Sequence, residues 1–195
     1  MSLTLPPAQK ALPSPVSTSN YYWISDTIPI ITEDEIEAIK ITYNILISSA
    51  ENSLNLALRR LDRCIVRDDN EDAILDATIA LEALLSDGNQ EMTHKLAMRV
   101  GALVNLDVEL ERDSVQAFSD IKSIYSYRSA IVHGSRDLDK KREIKLSEEK
   151  TVPAHSMAID YLKLALRVLL KHERYRVPKK IDEDLLLGHL KKSVK

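Results

Sequence analysis

The sequence predicts an all-α fold, a bundle of four to five helices followed by a short C-terminal helix. Apolar residues recur at steps of three and four over long stretches, the period of a helix that buries one face. Only four glycines, seven tyrosines, one phenylalanine and one tryptophan occur among 195 residues, too few turn-formers and β-formers for a sandwich. No stretch alternates apolar and polar residues long enough to read as a strand. At roughly 150 residues per domain the chain is one domain with tails. These divide as a Pro/Ser-rich lead-in over 1–31, a helical domain over 32–172 and a basic extension over 173–195.

The lead-in carries Pro6, Pro7, Pro13, Pro15 and Pro29 and a polar cluster from Ser17 to Asn20. It lacks an apolar core, and Lys10 is its one basic residue, so it resembles neither a signal nor a transit peptide. Tyr21, Tyr22 and Trp23 are read as docking onto the domain. Thr32-Glu33-Asp34-Glu35 fits a capping box. A single long helix is then expected to about residue 66, with Ile36, Ile39, Tyr43, Leu46, Ala50, Leu54, Ala57 and Leu61 on one face. A second is expected from about Glu71 to Ser86, stopped by Asp87-Gly88-Asn89. The third spans about Glu91 to Leu106. The fourth, about Glu111 to His133, carries Val115, Phe118, Ile121, Ile124, Tyr125, Ile131 and Val132, with Gly134 placed as a C′ glycine. Residues 135–150 are mostly charged and read as a solvated loop or frayed helix. Pro153 suits the first turn of a fifth helix, and a short helix follows at about Asp182 to Leu190.

The formal charge is −3. Residues 171–195 hold eight Lys/Arg against four acids, a local +4 on a body of −7. A near-neutral total argues against a protein that simply coats nucleic acid and says nothing about a local patch. A basic end is a candidate phosphate-binding edge, with Lys171, Arg174, Arg176, Lys179 and Lys180 as its nucleic-acid contacts, or simply a solvated tail. One cysteine, Cys64, excludes an internal disulfide and a Cys-based zinc site, so the chain reads as intracellular and cytoplasmic. No apolar run nears the roughly 20 residues of a membrane span.

Most chemical constellations fail. No two glycines lie close enough for a phosphate-cradling loop, and no dense His/carboxylate spacing supports a metal, so no cofactor and no metal site are expected. Cys64 reads as a packing residue. The stretch Ile124 to Gly134, Ile-Tyr-Ser-Tyr-Arg-Ser-Ala-Ile-Val-His-Gly, survives. Arg128 offers a permanently charged planar fork for a phosphodiester. His133 exchanges a proton near neutral pH. Together they are the minimum for metal-independent RNA cleavage, in which the 2′-hydroxyl attacks its own phosphate and the arginine stabilises the charge that builds. Five residues on a helix rotate by about 140°, so the two share a face only if the helix unwinds at His133. Cations in a last turn also answer the helix dipole without any function.

Three blocks resemble the ApeA-like branch of the HEPN superfamily: Asp72 to Leu85, with Leu81-Glu82-Ala83-Leu84-Leu85; Lys95 to Val100; and Ile124 to Gly134. The resemblance covers roughly Arg59 to Gly134. It implies an all-α bundle that forms a homodimer, in which Arg-x4–6-His motifs from two protomers meet at the seam as one composite, metal-independent endoribonuclease site. It assigns phosphate binding to Arg128 and general acid–base chemistry to His133, and it implies a role in phage defence or a toxin–antitoxin pair, with RNA and a protein partner or antitoxin as partners. Ser129 stands where active family members usually carry Asn, Asp or His.

Glu82 lies about 60–80° from the centre of its helix's apolar stripe and needs a cation. Arg99 and Arg128 are the candidates, with a slight preference for Arg99. Pairing with Arg99 leaves Arg128 to bind phosphate. Pairing with Arg128 favours a non-catalytic interaction and dimerisation module. A nucleotide-binding accessory subunit keeps the same fold with a different ligand.

Overall fold

A computed structural model describes residues 31–48, 52–88, 91–107, 109–146 and 150–188. The lead-in with Tyr21, Tyr22 and Trp23, and the C-terminal Lys191, Lys192 and Lys195, lie outside them. The described chain is all-α apart from one two-stranded sheet.

The helix expected over 32–66 is described as two segments, α1 (Glu33–Ser48) and α2 (Asn52–Val66), with residues 49–51 outside the described set. The capping box starts α1 as expected. Glu35 accepts from the Thr32 amide at 2.8 Å, and Thr32 Oγ1 accepts from the Glu35 amide at 3.3 Å. The two segments differ in burial. Helix α2 buries Leu54, Ala57 and Cys64, whereas Ile36, Ile39 and Tyr43 of α1, expected on a core-facing stripe, are exposed. Periodicity marks an apolar face without saying what covers it.

Helix α3 (Asn70–Leu85) is capped by Asp69, whose carboxylate accepts from the amides of Glu71 and Asp72. It is the central helix: Ile74, Ala77, Ala80, Leu81, Leu84 and Leu85 are all buried. It packs between α2 on one side and α7 (Ala154–Lys171) on another. Its buried Asp76 is held by Arg60 and Arg67 of the α2 end, satisfying a charge that would otherwise be costly there.

Helix α4 (Met92–Leu103) ends in a 3-10 turn, Val104–Leu106, and packs on α5 (Ser114–Val132). Gly101 permits the approach, since a Cβ there would sit 2.9 Å from the Ser114 carbonyl oxygen. Helix α5 starts three residues later than expected because Asp113 and Gln116 form a capping box. That leaves Val115 in the first turn, 78 % exposed instead of on the core face. Val132, at the other end, is exposed as well.

The expected loop over 135–150 contains more order than its charge suggests. A single-turn helix α6 (Leu138–Lys141) leads into β1 (Glu143–Lys145), which pairs antiparallel with β2 (Thr151–Pro153), Ile144 opposite Val152. Ile144 is buried between two exposed charged neighbours. Three residues are too few for alternation to stand out in a sequence. Pro153 then sits at the N-cap of α7. The C-terminal helix begins earlier than expected, with Pro178 opening α8 (Pro178–Ile181) and a π-helical turn over Asp182–Leu186.

Candidate functional site

Arg128 lies in the last turns of α5, facing Glu82 of α3, with Nη2 3.6 Å from Oε1. Glu82 therefore meets Arg128, against the slight preference for Arg99. Arg99 is taken elsewhere: its side chain is 1 % exposed and donates to both oxygens of Asp182 (2.8 and 2.6 Å), both of Asp87 (3.2 and 2.8 Å) and the Leu85 carbonyl. Asp182, 83 residues away in the chain, arrives only by tertiary folding. The Asp182 hydrogen bonds, followed by those of Asp87, raise the pKa of the guanidinium further above its already high ordinary value.

The Glu82–Arg128 contact is an ion pair and not a hydrogen bond, since 3.6 Å is too long for one. The side chains remain 20 % and 34 % exposed. Glu82 Oε1 and Arg128 Nε are shielded from solvent and neither has a hydrogen-bond partner among the described residues. Tyr125, one turn before Arg128, completes the cluster. Its hydroxyl donates to the Thr78 carbonyl at 3.4 Å. Burial first, and then the Glu82 carboxylate, push its phenol well above the usual value. Periodicity placed Tyr125 with the core residues, but its i,i+3 spacing to Arg128 also set the two on one face.

His133 is the C-cap of α5 and is exposed. Its φ and ψ of −98° and 3° leave the helical range, so the regular 140° offset from Arg128 no longer fixes where the imidazole sits. Gly134 follows at φ +60°, a conformation that glycine adopts without a Cβ penalty. The Gly134 amide donates to Ile131 O at 3.2 Å and the Ser135 amide to Ala130 O at 2.9 Å, the paired bonds of a Schellman ending. Ser129 is exposed beside the motif.

Three of the five cations in the basic run of residues 171–180 are engaged locally. Arg174 grips Asp184 with two hydrogen bonds. Arg176, 9 % exposed, donates to the Leu169 carbonyl at 3.0 Å and pairs with Glu173. Lys180 pairs with Glu183. These contacts fasten the C-terminal turns to the end of α7. Lys171 and Lys179 are exposed.

Two cavities lie away from the motif. An apolar groove of about 390 Å³ runs between α4, the first turn of α5 and the π turn, lined by Met98, Phe118 and Leu185 among others. A more polar one of about 320 Å³ is lined by Cys64, His155, Ser156 and Lys163. Cys64 donates to the Ala73 carbonyl, and burial pushes its thiol up to about 12, as suits a packing residue. Among the described residues no group of three or more His, Cys, Asp or Glu is placed to hold a metal ion. No helix among them is long and apolar enough to cross a membrane. Comparison of the chain with protein-family models, curated proteins and solved structures finds no match in any of the three.

Proposed function

We propose that the chain is an RNA-binding protein of the HEPN type, and that two copies together form a metal-independent endoribonuclease around Arg128 and His133. One observation supports this reading above others. Arg128 is a third exposed and makes no hydrogen bond among the described residues. By contrast, Arg67, Arg99, Arg167 and Arg174 are each held to carboxylates by two or more hydrogen bonds. An incompletely satisfied guanidinium in the last turns of a helix whose C-cap is an exposed histidine is a polar arrangement waiting for a partner. A phosphodiester supplies the acceptors it lacks.

In this reading Glu82 restrains Arg128 by charge, Nε stays shielded, and the Nη donors of the part-exposed guanidinium are left to the ligand. His133 removes the proton from the 2′-hydroxyl as the 2′-oxygen bonds to phosphorus. The bond from phosphorus to the 5′-oxygen breaks, and that oxygen takes a proton from the second copy's imidazolium. Arg128 meets the charge on the non-bridging oxygens. The products carry 2′,3′-cyclic phosphate and 5′-hydroxyl ends.

The rival reading, a non-catalytic interaction module, is favoured by the same ion pair taken as structural, and by the exposed Ile36, Ile39 and Tyr43 of α1. Cleavage of a mixed-sequence RNA in EDTA separates the two. The nuclease reading expects cyclic-phosphate ends from the native protein and loss of cleavage in both Arg128→Ala and His133→Ala. A folded, dimeric native protein that leaves RNA intact overturns it in favour of the module.

A further inference from the structure

We infer that the apolar groove beside α4 is the seat for helix α1 of a second copy of this chain, each copy lending its α1 to the other. The inference goes beyond the RNA reading and does not depend on it.

Two uncovered apolar surfaces of one chain support it. The first is α1. Ile36, Ile39, Tyr43 and Leu46 follow at steps of three, four and three, the narrow seam of a helix that packs on another element. Yet Ile39 and Tyr43 are each 61 % exposed, and α1 has no substantial packing partner among the described elements. A helix of 16 residues draws most of its stability from covering such a face. The second surface is the groove of about 390 Å³, lined by Ala97, Gly101 and Ala102 of α4, Phe118 of α5, and Leu185 and Leu186 of the π turn. Met98 and Val115, also in its lining, are exposed. A trough with small side chains along one wall accepts a ridge of large ones. Within one chain α1 makes no substantial contact with α4, α5 or the π turn, so a chain does not fill its own groove.

Charge selects the occupant. The first turns of α1 carry Glu33, Asp34, Glu35 and Glu37, with Lys40 paired to Glu37. Two α1 helices packed in parallel would bring these acids together, and packed antiparallel would lay them against a last turn without a basic residue. The groove offers the missing cation. Lys122 stands 5.5 Å over the Phe118 ring, and His94 meets that ring edge-on. Lys122 is exposed and has no ion pair among the described residues. A cation at the Phe118 end matches an acidic helix start.

Reciprocal exchange satisfies both surfaces on both copies and closes as a two-fold contact. One helix in one groove is small beside the roughly 1,200–2,000 Å² of a stable interface, and reciprocity doubles it. Phe118 lies about 22 Å along the α5 axis from His133, so the seat leaves Arg128 and His133 uncovered.

The test measures the mass of the full chain in solution by light scattering on a sizing column, at about 0.1 mM and below. The native chain is compared with Ile39→Arg/Tyr43→Arg in α1 and Met98→Glu/Val115→Glu in the groove. All four side chains are exposed, and circular dichroism confirms that both variants keep the native helical signal. The native chain is expected to be a dimer, and each variant alone to associate at least about a hundredfold more weakly, because charges enter apolar seats. An equimolar mixture of the two variants is expected to dimerise again. Each heterodimer keeps one unaltered seat, and in the other the new arginines face the new glutamates. A monomeric native chain overturns the exchange, as does a dimer that survives either variant. Loss in both variants without recovery in the mixture overturns it too, since α1 and the groove would then act separately.

Discussion

Removing the Arg99 side chain tests how the C-terminal turns are joined to the bundle. The guanidinium is 1 % exposed and makes five hydrogen bonds, four of them to two carboxylates that are 35 % and 33 % exposed. A hydrogen bond to a buried charged group contributes about 1.5–3 kcal/mol. Asp87 and Asp182 rehydrate once Arg99 is gone, so those figures must be discounted for screening. Truncating a large, fully buried side chain adds a cavity cost of about 2 kcal/mol or more. Arg99→Ala is therefore expected to cost about 3 kcal/mol, and Asp182→Ala about 1 kcal/mol. Because the two residues share one contact, the double variant should cost about 1 kcal/mol less than the sum. Urea unfolding followed by far-ultraviolet circular dichroism at neutral pH measures all three. A cost below about 1 kcal/mol for Arg99→Ala, or strict additivity with Asp182→Ala, would refute the clamp.

Two glycines should respond differently to alanine. At Gly101 the new Cβ meets the Ser114 carbonyl at 2.9 Å, and overpacking of about 1–3 kcal/mol exceeds the roughly 1 kcal/mol gained in helix propensity. At Gly134 nothing lies within 4 Å, so Gly134→Ala costs only the strain of φ +60°, about 1 kcal/mol. Thermal melts in which Gly101→Ala is as stable as the native protein or more so would contradict the close α4–α5 approach. Acid–base behaviour should show Asp120. Burial holds its carboxyl above the usual range, against the hydrogen bond donated by Tyr161 at 2.7 Å. A raised carboxyl contributes stability below its unfolded pKa of about 3.9, and that contribution is lost as pH rises through the folded value. Asp87 acts oppositely, because the hydrogen bonds from Arg99 lower its pKa, and its contribution is lost as pH falls. Asp120→Asn should therefore lessen the decline in melting temperature from about pH 4 towards neutrality, and an unchanged profile counts against a raised Asp120.

The all-α architecture, the Thr32 capping box, the Gly134 ending and the burial of Ile121, Ile124 and Tyr125 in α5 were legible in the residues. Each depends on interactions within a few positions of the chain: a hydroxyl and a carboxylate three apart, a glycine after the last apolar turn, apolar residues at steps of three and four. The positions of Arg128 in the last turns of α5 and of His133 at its end were legible for the same reason. The sheet at Ile144 and Val152 was not, because its two strands are three residues each and one apolar side chain carries the pairing.

Tertiary structure alone decided which face is covered and which charge meets which. Nothing in the α1 pattern distinguishes Ile36, Ile39 and Tyr43 in solvent from leucines in a core; only the presence or absence of a packing neighbour does. Arg99 and Arg128 are chemically equal claimants for Glu82, and the choice fell to Asp182, which the fold delivers to Arg99 from the far end of the chain. In the basic run at 171–180, Asp184, Glu183 and a backbone carbonyl likewise engage Arg174, Lys180 and Arg176, whereas Lys171 and Lys179 stay exposed. Local sequence sets helix ends and periodicity because those energies are short-ranged. The partner of a buried charge depends on distances between distant segments, which are known only once the chain has folded.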